Sequence, residues 1–205
     1  MACRFSDTPA GHLVYSDARL QVYEVEGTAE PKYCKDLCAF GKAYIQCKLD
    51  KCDVKKFNFY VFYQGSGPSA SDFSFMGYFS KEIDHPVNNL SCIMLLPPYY
   101  KKGLGQQMIS FSYLLSVLEV LIGSPEKPFT KDGQKSYEKY WDRAITELLQ
   151  THFSISSSDI SIISLSSSSG MSKPDVFKTL KRLKFVSSNR AKVVKKLQKA
   201  LVRQY

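Results

Sequence analysis

The run Cys92-Ile-Met-Leu-Leu-Pro-Pro-Tyr-Tyr-Lys-Lys-Gly103-Leu-Gly105-Gln-Gln, followed by Ser124-Pro-Glu126-Lys-Pro, joins a nucleophile, an anion cradle and a carboxylate in one short span. An apolar strand runs into a glycine turn that opens a long helix. The first N–H groups of a helix have no partner inside it, and the helix dipole is positive at that end. Such a turn can therefore hold a diphosphate without a dedicated charged side chain. The ligand this chemistry suggests is a nucleotide-like coenzyme. Gly-x-Gly between a strand and a helix is also a plain tight turn, so the glycines alone do not decide between the two readings.

The elements that would position these groups follow from periodicity. Leu13 to Tyr15 and Leu20 to Val25 alternate as short strands, Gly27 to Pro31 reads as a turn, and Tyr33 to Lys48 has helical spacing through Cys34, Leu37, Cys38, Gly41 and Ile45. Phe57 to Tyr63, Phe73 to Phe79 and Leu90 to Leu96 are apolar and aromatic runs separated by glycine-, proline- and asparagine-containing stretches, which makes them neighbouring strands of a central sheet. A helix from about Gly105 to Leu121 comes next, then the Ser-Pro-Glu-Lys-Pro loop, then a helix over Gln134 to Gln150. The fold class this order predicts is α+β.

Residues 154–172 contain eleven serines, a poor composition for a core, yet Ile155, Ile160, Ile162, Ile163 and Leu165 supply apolar anchors. Partial order is the preferred reading over a flexible linker. Ser172-Lys-Pro-Asp175 has the form of a capping box, and Val176, Phe177, Leu180 and Leu183 give the following helix its apolar face.

The 205 residues are enough to bury a proper core, most simply as one domain with an appended subdomain. No apolar run approaches the roughly 18 to 20 residues of a membrane span, and the first residues lack the apolar region of a secretory signal, so no membrane partner is expected. In the reducing compartment this implies, the six cysteines read as buried or functional thiols. Cys34, Cys38, Cys47 and Cys52 include no compact Cys-x-x-Cys, and His12, His85 and His152 are scattered, so packing is favoured over a metal site.

The net charge of +9 is concentrated at one end. Residues 173–205 carry eleven Lys and Arg against the single acid Asp175, a net of +10, which leaves residues 1–172 at −1. Lys192, Lys195, Lys196 and Lys199 read either as a solvated helical face or as a non-specific contact with DNA phosphates.

Several of these words occur together, in this order and spacing, in the MYST-type histone acetyltransferases, which the chain resembles from about residue 11 to 186. They are Cys-Ile-x-x-Leu-Pro-Pro-Tyr from Cys92, Phe111-Ser-Tyr113, Gly123-Ser-Pro-Glu-Lys-Pro128 and Ser136-Tyr137…Tyr140-Trp141. Tyr33-Cys-x-x-Leu-Cys38…Lys42, Asp53-Val54…Phe57-x-Phe-Tyr-Val61 and Gly77-Tyr-Phe-Ser-Lys-Glu82 extend the match. The resemblance implies the acetyltransferase fold, with a central splayed sheet holding the coenzyme and a helical, winged-helix-like C-terminal subdomain. The implied division is a catalytic core over 1–153 and a serine-rich connection with a basic helical subdomain over 154–205.

The implied activity is transfer of acetyl from acetyl-CoA to lysine side chains of histone tails, in the nucleus, as part of a chromatin complex. A free lysine is mostly ammonium at neutral pH, with a pKa of about 10.4, so amide formation needs a general base. The resemblance assigns that role to Glu126, against the alternative of a surface glutamate paired with Lys127. It places Cys92 in the active site, either carrying the acetyl group as an acetyl-enzyme or standing beside a direct transfer. For acetyl-CoA it implies contacts from Ile93, Met94 and Leu95, acting like an added β-strand, and from Lys101, Lys102, Gly103, Leu104, Gly105 and Gln106 to the pyrophosphate. Thr130 retains a hydroxyl at a further contact position. The sequence departs from the family at Tyr100, where the glycine motif usually begins with Gln or Arg, at Leu95, usually small and polar, and at Lys139, usually a serine.

Lys42 matches the family lysine that becomes autoacetylated; from its helical position alone, a snorkelling lysine is the simpler reading. The family's Cys-Cys-His-Cys zinc finger precedes the first strand, and of its ligands only Cys3 has a counterpart here, so no metal is expected. The competing function is a non-catalytic chromatin-binding module that keeps the fold and has lost the transfer.

Overall fold

A computed structural model describes residues 9–45, 53–65, 73–155 and 160–186. They cluster into two compact units, one within Met1–Met108 and one within Ile109–Tyr205.

The first unit is built on a five-stranded antiparallel sheet in which sequence order and spatial order coincide: β1 (His12–Ser16), β2 (Leu20–Glu26), β3 (Phe57–Gln64), β4 (Ser74–Glu82) and β5 (Cys92–Leu95). Asp17 makes the first turn, its carboxylate accepting the N–H groups of Arg19 at 2.7 Å and Leu20 at 2.8 Å. Helix α1 (Pro31–Lys42) starts on a proline, whose fixed φ suits a first helical turn. It buries Cys34, Leu37, Cys38 and Gly41, the i, i+3, i+4, i+7 stripe its sequence shows. Those side chains pack on Val25, Phe59, Val61, Tyr78 and Met94.

The helix ends at Lys42, short of the Lys48 the spacing suggests; the Tyr44 and Ile45 N–H groups both turn back onto the Gly41 carbonyl, at 3.0 and 2.9 Å. Residues 46–48 lie outside the described residues. Gly41 is required by packing, because a Cβ there would fall on the Tyr78 hydroxyl.

β3 has no visible alternation because both its faces are covered. Phe59 and Val61 face the α1 cluster, while Tyr60 and Phe62 are buried on the other face, Tyr60 stacked on Phe79 at 4.8 Å. The three central runs seen in the sequence are thus β3, β4 and β5, as expected.

The second unit contains most of α2 (Leu104–Leu118), with α3 (Lys131–Ile155), α4 (Ile162–Ser169) and α5 (Lys173–Arg182). Its core is aromatic at one end, where Trp141 Nε1 donates to the Tyr113 hydroxyl at 2.9 Å and Tyr113 stacks on Tyr140. It is aliphatic at the other, where Ile145, Leu149, Leu165, Val176 and Leu180 are fully buried. The capping box of α5 is present: Ser172 Oγ accepts the Asp175 N–H and donates to the Asp175 carboxylate at 2.7 Å. Arg182 fastens α5 to α3 through Asp142 at 2.7 Å. The serine-rich stretch is ordered where its apolar anchors fall, extending α3 to Ile155 and forming α4; residues 156–159 lie outside the described residues.

Candidate active site

Among the described residues β5 is an edge strand, paired with β4 in the register Ser80↔Cys92, Phe79↔Ile93, Tyr78↔Met94 and Gly77↔Leu95. Met94 turns into the α1 cluster, whereas Cys92, Ile93 and Leu95 remain partly accessible. An edge strand offers peptide groups on the side away from its neighbour, which is the condition for strand-like recognition of an extended ligand. Ser80 secures the start of β5 twice, its carbonyl accepting the Ser91 N–H at 2.8 Å and its hydroxyl accepting the Cys92 N–H at 3.3 Å. One residue so captures two successive N–H groups and sets where the thiol begins. Sequence spacing carries no sign of this role for Ser80.

After a short 3₁₀ turn at Pro97–Tyr99 the chain reaches the glycine turn. Lys101 and Gly103 have positive φ, 60° and 83°, so the backbone folds sharply and the Gly103 carbonyl accepts the N–H groups of Gln106 at 3.0 Å and Gln107 at 3.2 Å to start α2. Lys101 and Lys102 are exposed, the Lys102 ammonium lying 5.8 Å from the Tyr99 ring centre. Leu104, Gly105 and Gln106 are half-buried in the first turn.

Gly103 owes its identity in part to its φ. Gly105 has no such excuse: its φ is ordinary, and a Cβ there would meet nothing within 4 Å. A glycine in a helix interior costs up to about 1 kcal/mol relative to alanine, and among the described residues no close packing requires one at Gly105. Among the described residues, the space beside it is open.

Glu126 belongs to the second unit. Its loop leaves α2 through Val120, which has a left-handed φ of 57°, and then pairs at Gly123 with the turn before α5. The Gly123 N–H donates to the Gly170 carbonyl at 2.8 Å, and the Ser172 N–H donates to the Gly123 carbonyl at 2.9 Å. Pro125 is buried, and Glu126 and Lys127 are exposed. Among the described residues no ion pair joins Glu126 to Lys127. Thr130 closes the loop as the cap of α3, its hydroxyl accepting the Gly133 N–H at 3.0 Å. Its hydroxyl thus has a structural duty of its own. Lys139 is exposed on α3.

Lys42 lies in the last turn of α1 and is exposed, where the helix dipole favours its charge. Cys34 and Cys38 are buried and form no disulfide, and burial, reinforced by Cys38 and Glu30, pushes the Cys34 thiol up to about 12. A buried thiol held protonated in this way is inert. Cys3, Cys47 and Cys52 lie outside the described residues. Among the described residues no group of three or more His, Cys, Asp or Glu side chains is placed to hold a metal ion, and no helix is long and apolar enough to cross a membrane.

The edge strand, the glycine turn and the exposed loop carboxylate are the parts that the sequence words had assigned to an acetyl transfer, and the comparison with known proteins bears on those same words. The family model described as MOZ/SAS family matches residues 8–205. The chain belongs to the MOZ/SAS family. Its relatives include histone acetyltransferase MOF of Drosophila melanogaster, 37% identical over 179 residues, which cover 87% of this chain and 21% of the relative. Histone acetyltransferase mst2 of Schizosaccharomyces pombe is 36% identical over 184 residues, 89% of this chain and 43% of the relative. Histone acetyltransferase KAT6A of Homo sapiens is 38% identical over 179 residues, 87% of this chain and 9% of the relative. This MOZ/SAS chain therefore spans less than half the length of each of these relatives. The mixed α+β architecture, with its antiparallel sheet and helical second unit, agrees with the fold that the resemblance to the MYST enzymes implies.

Proposed function

We propose that the chain is a protein-lysine acetyltransferase that moves an acetyl group from acetyl-CoA to lysines of histone tails. The observation that carries this reading is Gly105, held open in the first turn of α2 just after an edge strand. That combination suits a ligand with an extended amide-bearing arm and a pyrophosphate, which is the form of coenzyme A. Ile93, Met94 and Leu95 would take the arm along β5. Lys101 to Gln106 would take the pyrophosphate, through backbone N–H groups at the helix start and the two exposed lysines. Thr130, already the cap of α3, would offer its hydroxyl as a donor.

In this reading Glu126 accepts the proton of the incoming ammonium, directly or through a water, because only the neutral amine attacks an acyl carbon. Its exposure leaves it reachable by a substrate from solution. Cys92 is an active-site thiol. It either receives the acetyl group before the lysine does or flanks a direct transfer, and rapid quenching with detection of acetyl-Cys92 separates the two.

The proposed functional division is a core over 1–153 and a basic appendage over 154–205. Residues 190–205, the part proposed to contact DNA phosphates, lie outside the described residues. The described basic residues Lys173, Lys178, Lys181 and Lys184 are exposed and available to the same contact. A nuclear location, membership of a chromatin complex and autoacetylation of Lys42 complete the proposal.

The test is purified protein with labelled acetyl-CoA and intact histones, read by mass spectrometry. Acetylated histone lysines are expected. Loss of both coenzyme binding and transfer would instead favour a non-catalytic chromatin module whose coenzyme loop no longer works.

A further inference from the structure

Two hydroxyls of the serine-rich segment are buried and spent on the main chain. Ser166 Oγ donates to the Met171 carbonyl at 2.6 Å. Ser169 Oγ donates to the Leu165 carbonyl at 2.6 Å and accepts the Met171 N–H at 3.2 Å. Both backbone polar groups of Met171 are thus held by side chains, and its own side chain is fully buried. The residues on either side of Met171 are the two that grip Gly123, through the Gly170 carbonyl and the Ser172 N–H. Gly170 permits the arrangement, since its φ of 68° turns the chain out of α4 directly into the pairing.

We infer that Ser166 and Ser169 are positioning residues for Glu126. They lock Met171, whose neighbours lock Gly123, and from Gly123 the chain reaches Glu126 through Ser124 and the buried Pro125. Proline fixes its own φ, so few torsions separate the clamp from the carboxylate. Loss of either hydroxyl leaves a buried Met171 group without its partner, a penalty relieved by shifting the turn. The shift travels to Gly123 through two hydrogen bonds. A general base works only within hydrogen-bond reach of its proton, so displacements well below the size of a side chain lower turnover. This inference rests on the reading of Glu126 as the base.

The test uses the full chain, a histone-tail peptide and acetyl-CoA, with Ser166→Ala, Ser169→Ala, Ser169→Thr, the exposed control Ser168→Ala, and Glu126→Gln alongside wild type. The alanine variants at 166 and 169 should lose roughly tenfold in kcat while the KM for acetyl-CoA stays within about twofold, and threonine at 169 should restore the rate. Ser168→Ala should match wild type. Amide exchange should speed up at Gly123 and Ser172 in the two alanine variants but not at Leu149 in the core of α3, an effect that a general loss of stability would not confine to those sites.

Wild-type kcat in both alanine variants, with Glu126→Gln impaired, overturns the clamp and leaves the base in place. Wild-type turnover in Glu126→Gln overturns the base reading itself. Should an alanine variant fail to fold, the wild-type protein still decides: Gly123 and Ser172 amides that exchange at the rate of free loops overturn the clamp.

Discussion

Cys92 and Glu126, the two residues proposed to stand at the chemistry, are held in place by opposite means. Cys92 opens a β-strand, and its position is set by a neighbouring strand whose Ser80 captures its N–H. Glu126 sits in neither strand nor helix, and its loop is tied down by residues some fifty positions later in the chain, across the Gly123–Met171 pairing. A regular element thus places a side chain through local repetition. A loop depends on particular distant partners, so its placement is the more fragile of the two.

The contrast is sharpest among the thiols of the first unit. Cys34 is fully buried and held protonated, whereas Cys92 is partly accessible at the sheet edge. At about pH 8, iodoacetamide should therefore modify Cys92 at least about a hundredfold faster than Cys34 in the folded protein, read by peptide mapping. Equal rates would remove the distinction. Because the Cys34 thiol titrates higher folded than the roughly 8.5 of a free thiol, its neutral burial stabilises the fold fully below about pH 8.5. That contribution is lost as the pH rises toward about 12.

Gly105 tests the part of the sheet unit proposed to face the coenzyme. Gly105→Ala should raise stability by up to about 1 kcal/mol, since helix propensity improves and no clash follows. It should weaken acetyl-CoA binding by about tenfold or more, an effect of about 1.4 kcal/mol or more. Calorimetric titration and thermal unfolding on the same sample read both. Unchanged affinity would mean that the open space beside Gly105 serves no coenzyme.

In the helical unit the loop to Glu126 begins with strain. Val120 is β-branched, left-handed and 90% exposed, so it gains no burial in return for its backbone conformation. Val120→Gly should stabilise the protein by about 1 kcal/mol, raising the midpoint of thermal unfolding by roughly 2 to 4 °C. The smallest effect concerns Arg182 and Asp142, a partly exposed pair with two short contacts. Arg182→Ala should cost about 0.5 to 1 kcal/mol, read by chemical denaturation, and leave coenzyme binding as it was.

How much of this was legible beforehand follows the same division. All five strands, the α1 stripe and the Ser172–Asp175 cap can be read from the sequence, because alternation in β1 and β2, apolar runs between turn residues in β3 to β5, helical spacing and cap chemistry are local signals. The early end of α1 cannot, since Ile45 keeps the apolar spacing after the backbone has turned back onto Gly41. The words around Cys92, Gly103 and Glu126 point to the site, yet Ser80, Ser166 and Ser169 do not announce themselves. They act through backbone groups, and a serine bonded to a distant peptide has no spacing that distinguishes it from a solvated one. The serine-rich composition of residues 154–172 hides this further, because its buried and exposed hydroxyls alternate within a single turn of α4.

The measurement that bears most directly on the account is the pH dependence of acetyl transfer by Glu126→Gln, which keeps the shape of the side chain and removes the base. Turnover on a histone-tail peptide should fall about 10²- to 10⁴-fold near neutral pH, with acetyl-CoA affinity nearly unchanged. It should recover in part as the pH rises toward the pKa of free lysine, about 10.4, where the amine loses its proton unaided. Turnover equal to wild type across the whole pH range would contradict the account, because a residue that can be neutralised without loss is not the base.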